Sequence, residues 1–174
     1  GELATELEVV IANHPDHADI CEHVGVPYVH LPVTPGRKHE QEAAVLAELQ
    51  SHDIDLVVLA RYMQILPPSI IDAYEHRIIN IHHSFLPAFI GANPYRQAHD
   101  RGVKLIGATA HYVTEELDEG PIIEQEVARV THRDDVASLT RKGRDLETIV
   151  LATAVRAHLE HRILVYGHKT VVFG

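Results

Sequence analysis

The chain has 174 residues, 45% apolar and 23% charged, the make-up of one globular domain with a core of its own. A formal charge of −10 argues against a nucleic-acid partner, which asks for clustered Lys and Arg; no apolar run reaches the roughly 18 residues of a membrane span. The single Cys21 leaves no internal disulfide, and "GELATELEVV" has neither a basic leader nor an apolar signal core, so a reducing, cytoplasmic setting is expected.

In chain order, "LEVVIAN" (7–13) reads as a buried strand, followed by a turn at "NHPDH" and a short helix through Ile20 and Val24. "VPYVHLPV" reads as a second strand. "HEQEAAVLAELQSH" carries a helical stripe at Ala43, Ala44, Leu46, Ala47 and Leu49. "DIDLVVLAR" is a near-continuous apolar strand of the kind parallel sheets bury on both faces. "PPSIIDAY" is a helix with Pro near its start, "RIINIH" a fourth strand, and "NPYRQAHDRG" a helix closed by Gly102.

The rhythm then changes. "IGATAHYV" and "IIEQEVARV" are strands joined by the polar turn "TEELDEGP", a hairpin-like and therefore antiparallel unit. Residues 135–161 read as one long helix, with Val136, Leu139, Leu146, Ile149, Val150 and Ala154 at helical spacing and Gly143 as an irregularity inside it. "ILVYG" and "TVVF" form a closing strand pair. Alternating strands and helices followed by a hairpin define an α/β fold: an open, mostly parallel, Rossmann-like sheet with an antiparallel edge and a long C-terminal helix.

Ligands bind such sheets at the carboxyl ends of strands, near a switch point. Here the fourth strand ends on Asn80, His82 and His83, groups costly to bury unpaired. Of the fifteen histidines, only His82, His83 and His111 are led into directly by apolar strand patterns; His30 lies in a strand-like run beside Pro32, as an edge position explains, and the others sit among polar or loop residues. Asn80 and His82 are two apart, so they share a face, whereas His83 is expected to point away. An amide N–H and an imidazolium N–H aimed at one point make an oxyanion hole, where one such donor contributes roughly 3–4 kcal/mol. The imidazole then wants a carboxylate, and Asp118, followed by Gly120 and Pro121 in a tight loop, is the candidate.

Taken singly, these residues read as a turn cap, a satisfied core histidine and a hairpin-tip acid; it is their joint position at strand ends that suggests a site. A metal is not expected: neighbouring strand residues face opposite ways, and there is no HExxH or CxxC spacing. Cys21 and Ser84 lack the context of a nucleophile, and no glycine-rich nucleotide loop is present. The set suits acyl transfer in which water or an amine attacks directly.

The stretch "NIHHSFLPAFIGANPYRQAHDRGVKLIGATAHYVTEELDEGPII" resembles the folate-dependent formyltransferase fold family. The resemblance covers essentially the whole chain through N-x-H-x-S-x-L-P, G-x-T-x-H and D-x-G-P-I-I motifs. It implies that Asn80, His82 and Asp118 are catalytic. It also implies that Tyr62, Met63, Gln64, Ile65 and Leu66 line the substrate pocket, with His111, Glu115, Glu116 and Gly120 on its other side. "NIHHSFLP", "ARYMQIL", "RKGRD" and "HKTVVF" look most like the branch that hydrolyses 10-formyltetrahydrofolate to tetrahydrofolate and formate, balancing one-carbon pools for purine synthesis; a transferase or a non-catalytic folate binder is the alternative. The oxyanion would then rest on Asn80 and a protonated His82. The implied partners are the folate substrate and water, without a separate cofactor, in a homo-oligomer. Residues 1–174 are expected to form a formyltransferase-like catalytic domain lacking the family's first strand and its N-terminal ACT domain.

Overall fold

The computed structural model describes residues 3–86 and 94–174. Pro87 of the N-x-H-x-S-x-L-P motif and Asn93, the first residue of the expected helix, lie outside the described residues. Strands and helices alternate through β1 (Val10–Ala12), α1 (Ala18–Val24), β2 (Tyr28–His30), α2 (Lys38–Ser51), β3 (Val57–Leu59), α3 (Pro68–Ala73), β4 (Ile78–His82) and α4 (Pro94–Arg101). The hairpin β5 (Leu105–Tyr112) and β6 (Ile122–Arg129) follows, then α5 (Val136–Leu159) and the closing pair β7 (Ile163–Tyr166) and β8 (Lys169–Val172). β3-β4-β5-β6 form one sheet, parallel between β3 and β4 and antiparallel from β4 onward. β1 and β2 pair in parallel, and β7 pairs antiparallel with β8.

β4 separates two cores by simple alternation. Ile79 and Ile81 join Ile106, Ala108, Ala110 and Ile123 against Leu139, Leu146, Val150 and Ala154 of α5. Ile78 packs on the other side with Leu49, Leu66, Ile70, Ile71 and Tyr74. Asn80 and His82 share the parity of Ile78, so they leave the sheet on the face away from α5.

Helix α5 starts where Asp135 accepts the Ser138 backbone N–H at 2.7 Å, an N-cap that satisfies one orphan donor. Its buried stripe is Leu139, Gly143, Leu146, Val150, Ala154 and Ala157. Ile149, expected in that stripe, is 57% exposed, because it lies one helical step from Val150 and falls on the outer flank. Gly143 is the seat of α4: a Cβ there would lie 2.1 Å from the Tyr95 hydroxyl. That hydroxyl donates to Glu147 at 2.5 Å, and burial and the carboxylate push the phenol well above its usual pKa.

The early strands are shorter and wetter than the sequence suggests. β1 and β3 have three residues each, and Val58 is 42% exposed rather than buried on both faces. Each pairs along one edge, and a strand covered on fewer sides hides less of its apolar run.

Candidate active site

The G-x-T-x-H face of β5 receives the end of β4. Asn80 stands opposite His111 and His82 opposite Thr109 in the antiparallel register. Gly107 leaves room for the chain beyond β4, since a Cβ there would lie 2.9 Å from the Phe85 Cβ. Thr109 is fully buried; its hydroxyl donates to the Ser84 carbonyl at 2.9 Å and accepts from the Leu86 N–H at 3.1 Å and the Gln125 amide at 2.9 Å. This brace fixes the turn after His82. Gln125 is not singled out by the sequence, and Thr109 enters there only as a position of the G-x-T-x-H motif, whose i, i+2 spacing places Gly107, Thr109 and His111 on one face.

Asp118 reaches the same point from the β5–β6 loop. It adopts a left-handed φ of 57°, and Gly120 follows so close that a Cβ would lie 1.8 Å from the Tyr112 carbonyl oxygen, a position open only to glycine. The Asp118 carboxylate lies 3.3 Å from His82 Nδ1 and 3.6 Å from His111 Nε2, and only 14% of its side chain is exposed. His111 Nε2 in turn lies 3.2 Å from the Asn80 side-chain nitrogen. Asn80, His82, Asp118 and His111 therefore form one cluster.

The protons follow from the partners. His82 Nδ1 faces a carboxylate and carries a hydrogen. His82 Nε2 is buried and, among the described residues, has no partner. Burial is the first cause that lowers the His82 pKa, opposed by Asp118 and reinforced by His83 and His111. Burial thus favours the uncharged ring, with a lone pair on Nε2, where the sequence reading has an imidazolium. His83 also departs from expectation. Its ring does not point away but stacks on His82, centroids 5.2 Å apart and planes 10° off parallel. β4 ends at His82, and strand alternation ends with it.

The remaining residues divide. Leu59 pairs with Asn80, so the chain leaving β3 emerges beside the carboxyl end of β4. There Met63 and Ile65 are exposed, Tyr62 and Gln64 half-buried, and Leu66 is anchored in the core. Lys38 on α2 donates to the Ile65 carbonyl at 3.1 Å and pairs with the buried Glu42 at 3.1 Å, a support no sequence pattern advertises. Glu115 and Glu116 are exposed and line a cleft with Ile71, Asp72, Glu75 and His76, to which Asn80, His82 and Asp118 do not contribute. Among the described residues no helix is long and apolar enough to cross a membrane.

An open α/β sheet that delivers an amide and an imidazole backed by a loop carboxylate to one strand end is the layout of an acyl-transfer domain. Residues 4–155 match the formyl transferase family, and the chain belongs to it. It is 61% identical over 173 residues to a formyltetrahydrofolate deformylase of Synechocystis sp., covering 99% of this chain and 61% of that protein. It superposes with a TM-score of 0.96 on the crystal structure of a formyltetrahydrofolate deformylase from Pseudomonas syringae pv. tomato, at 57% identity over 99% of this chain and 58% of that one. Glycinamide ribonucleotide transformylase 1 from Symbiobacterium toebii shares the fold at a TM-score of 0.93 with 34% identity, over 99% of this chain and 83% of that one. The chain thus spans about three-fifths of the deformylases it matches.

Proposed function

We propose that the protein hydrolyses 10-formyltetrahydrofolate to tetrahydrofolate and formate. The observation that carries this is the buried Nε2 of His82, unpartnered among the described residues and backed across the ring by Asp118. A lone pair held in that way suits a general base for water. The 61% identity to a deformylase, against 34% to a transformylase, favours water over an amine as the nucleophile.

In this reading His82 Nε2 takes a proton from water as the hydroxyl oxygen bonds to the formyl carbon. The carbonyl oxygen becomes an oxyanion and accepts from the Asn80 amide. Asp118 supports the imidazolium that forms. The imidazolium returns its proton to N10, the C–N bond breaks, and tetrahydrofolate and formic acid leave, the acid losing its proton to solvent. The exposed Met63 and Ile65 offer the folate an apolar wall. The chemistry asks for no cofactor beyond the folate consumed, and a cytoplasmic, reducing setting agrees with the single buried Cys21.

The test is formate release from 10-formyltetrahydrofolate by purified protein containing residues 1–174, with no acceptor added. Steady release is expected. Release that begins only when an amine acceptor is supplied overturns the hydrolase reading in favour of a formyltransferase.

A further inference from the structure

His111 matches a substrate-side position by resemblance, yet it is 2% exposed and lies behind Asn80. Its Nδ1 is 2.9 Å from the Tyr112 carbonyl oxygen, which can only accept, so Nδ1 carries a hydrogen. Burial lowers the pKa of this imidazole, against the opposing pull of the Tyr112 carbonyl and Asp118, so the ring is neutral and Nε2 is bare. A bare Nε2 can only accept. The group it accepts from, at 3.2 Å, is the Asn80 Nδ2.

We propose that His111 is a positioning residue: held by the Tyr112 carbonyl, its Nε2 lone pair fixes the rotamer of the Asn80 amide and leaves the second Nδ2 hydrogen free for the oxyanion. This rests on the reading of Asn80 as an oxyanion donor. The reversed amide would set Asn80 Oδ1 against the Nε2 lone pair, two acceptors facing each other at an imidazole only 2% exposed. Asp118 also acts on His111 by its charge, but at 3.6 Å from Nε2 it lies farther than the Asn80 amide, and its shorter contact in this cluster is with His82 Nδ1 at 3.3 Å. Gly120 completes the device. Its missing Cβ lets the loop close over the Tyr112 carbonyl, which is the atom that dictates the His111 tautomer.

A residue that works through Asn80 has nothing left to do once Asn80 is gone. His111→Phe should lower kcat by about ten- to a hundredfold with KM for the folate within about threefold, and Asn80→Ala by about a hundred- to a thousandfold. The double variant should be no slower than Asn80→Ala alone. Losses that multiply overturn the proposal, as does a His111→Phe defect confined to KM. Should His111→Phe not fold, nitrogen NMR of the histidine-labelled protein decides. An imidazole protonated at Nδ1, bare at Nε2 and coupled to the Asn80 side-chain amide, unchanged between about pH 6 and 8, is expected. The opposite tautomer, or titration in that range, overturns it. The comparison holds equally for formyl transfer to an amine, so failure of the hydrolase reading and failure of the His111 assignment are told apart.

Discussion

At the last residue of β4, strand alternation sets the direction of one histidine and not of the next. Asn80 and His82 share a face because both lie within Ile78–His82, where alternation is enforced by pairing on both edges. His83 lies just past that pairing, and its ring folds back onto His82 at 5.2 Å and also approaches Tyr95, centroids 6.4 Å apart. A second imidazole so close opposes protonation of the first, one of the causes that hold the His82 pKa below its ordinary value. His83→Ala should therefore lower turnover by less than about tenfold, against about a hundredfold or more for His82→Ala. The acid limb of the rate profile should also move to higher pH, toward the ordinary histidine value, as that opposition is removed. Equal losses in the two variants, or an unmoved limb, would show that the stacked ring has a different role.

At the scale of the element, Gly143 decides how α4 and α5 meet. Glycine inside a helix costs about 1 kcal/mol against alanine, yet this one lies under the Tyr95 hydroxyl, 2.1 Å from where a Cβ would sit. Gly143→Ala should destabilise the protein by about 1–3 kcal/mol in urea melts by forcing Tyr95 off Glu147. In a Tyr95→Ala background the same change should be neutral or stabilising; destabilisation there would place the cause elsewhere. The helix itself was legible: residues at 139, 146, 150 and 154 repeat at helical spacing. The glycine read only as an irregularity, because nothing local in the sequence announces that a tyrosine 48 positions earlier will rest on it. Lys38 escaped notice for the same reason, and Thr109 stood only as a motif position, since their hydrogen bonds run to Ser84, Leu86 and Ile65, distant in the chain. The cluster of Asn80, His82 and Asp118 was legible in outline from polar groups closing an apolar strand and an acid in a tight Gly-Pro loop. The distinction between its protonated and neutral forms was not, because burial is a property of the packed molecule.

Over the whole molecule, the same burial ties stability to pH from two sides. His82, His111 and His158 all have pKa values pushed below the ordinary 6.5, with desolvation the first cause in each. Below pH 6.5 the unfolded chain protonates these rings before the folded one does, so protons pull the equilibrium toward unfolding and stability falls as pH drops. Tyr62, Tyr74, Tyr95 and Tyr112 are shifted the other way, burial raising each above the ordinary 10.0, and Tyr112 to about 12. Above pH 10 the unfolded chain loses phenolic protons that the folded one keeps, so stability falls again as pH rises. The expected profile is a plateau between about pH 6.5 and 10, falling on both sides. Urea midpoints across that range check it, and His82→Asn should flatten the acid side in part, because one depressed histidine has been removed. A midpoint that stays level from about pH 8 down to pH 5 would mean that the rings at the end of β4 are not held neutral, and the general-base role of His82 would lose its physical footing.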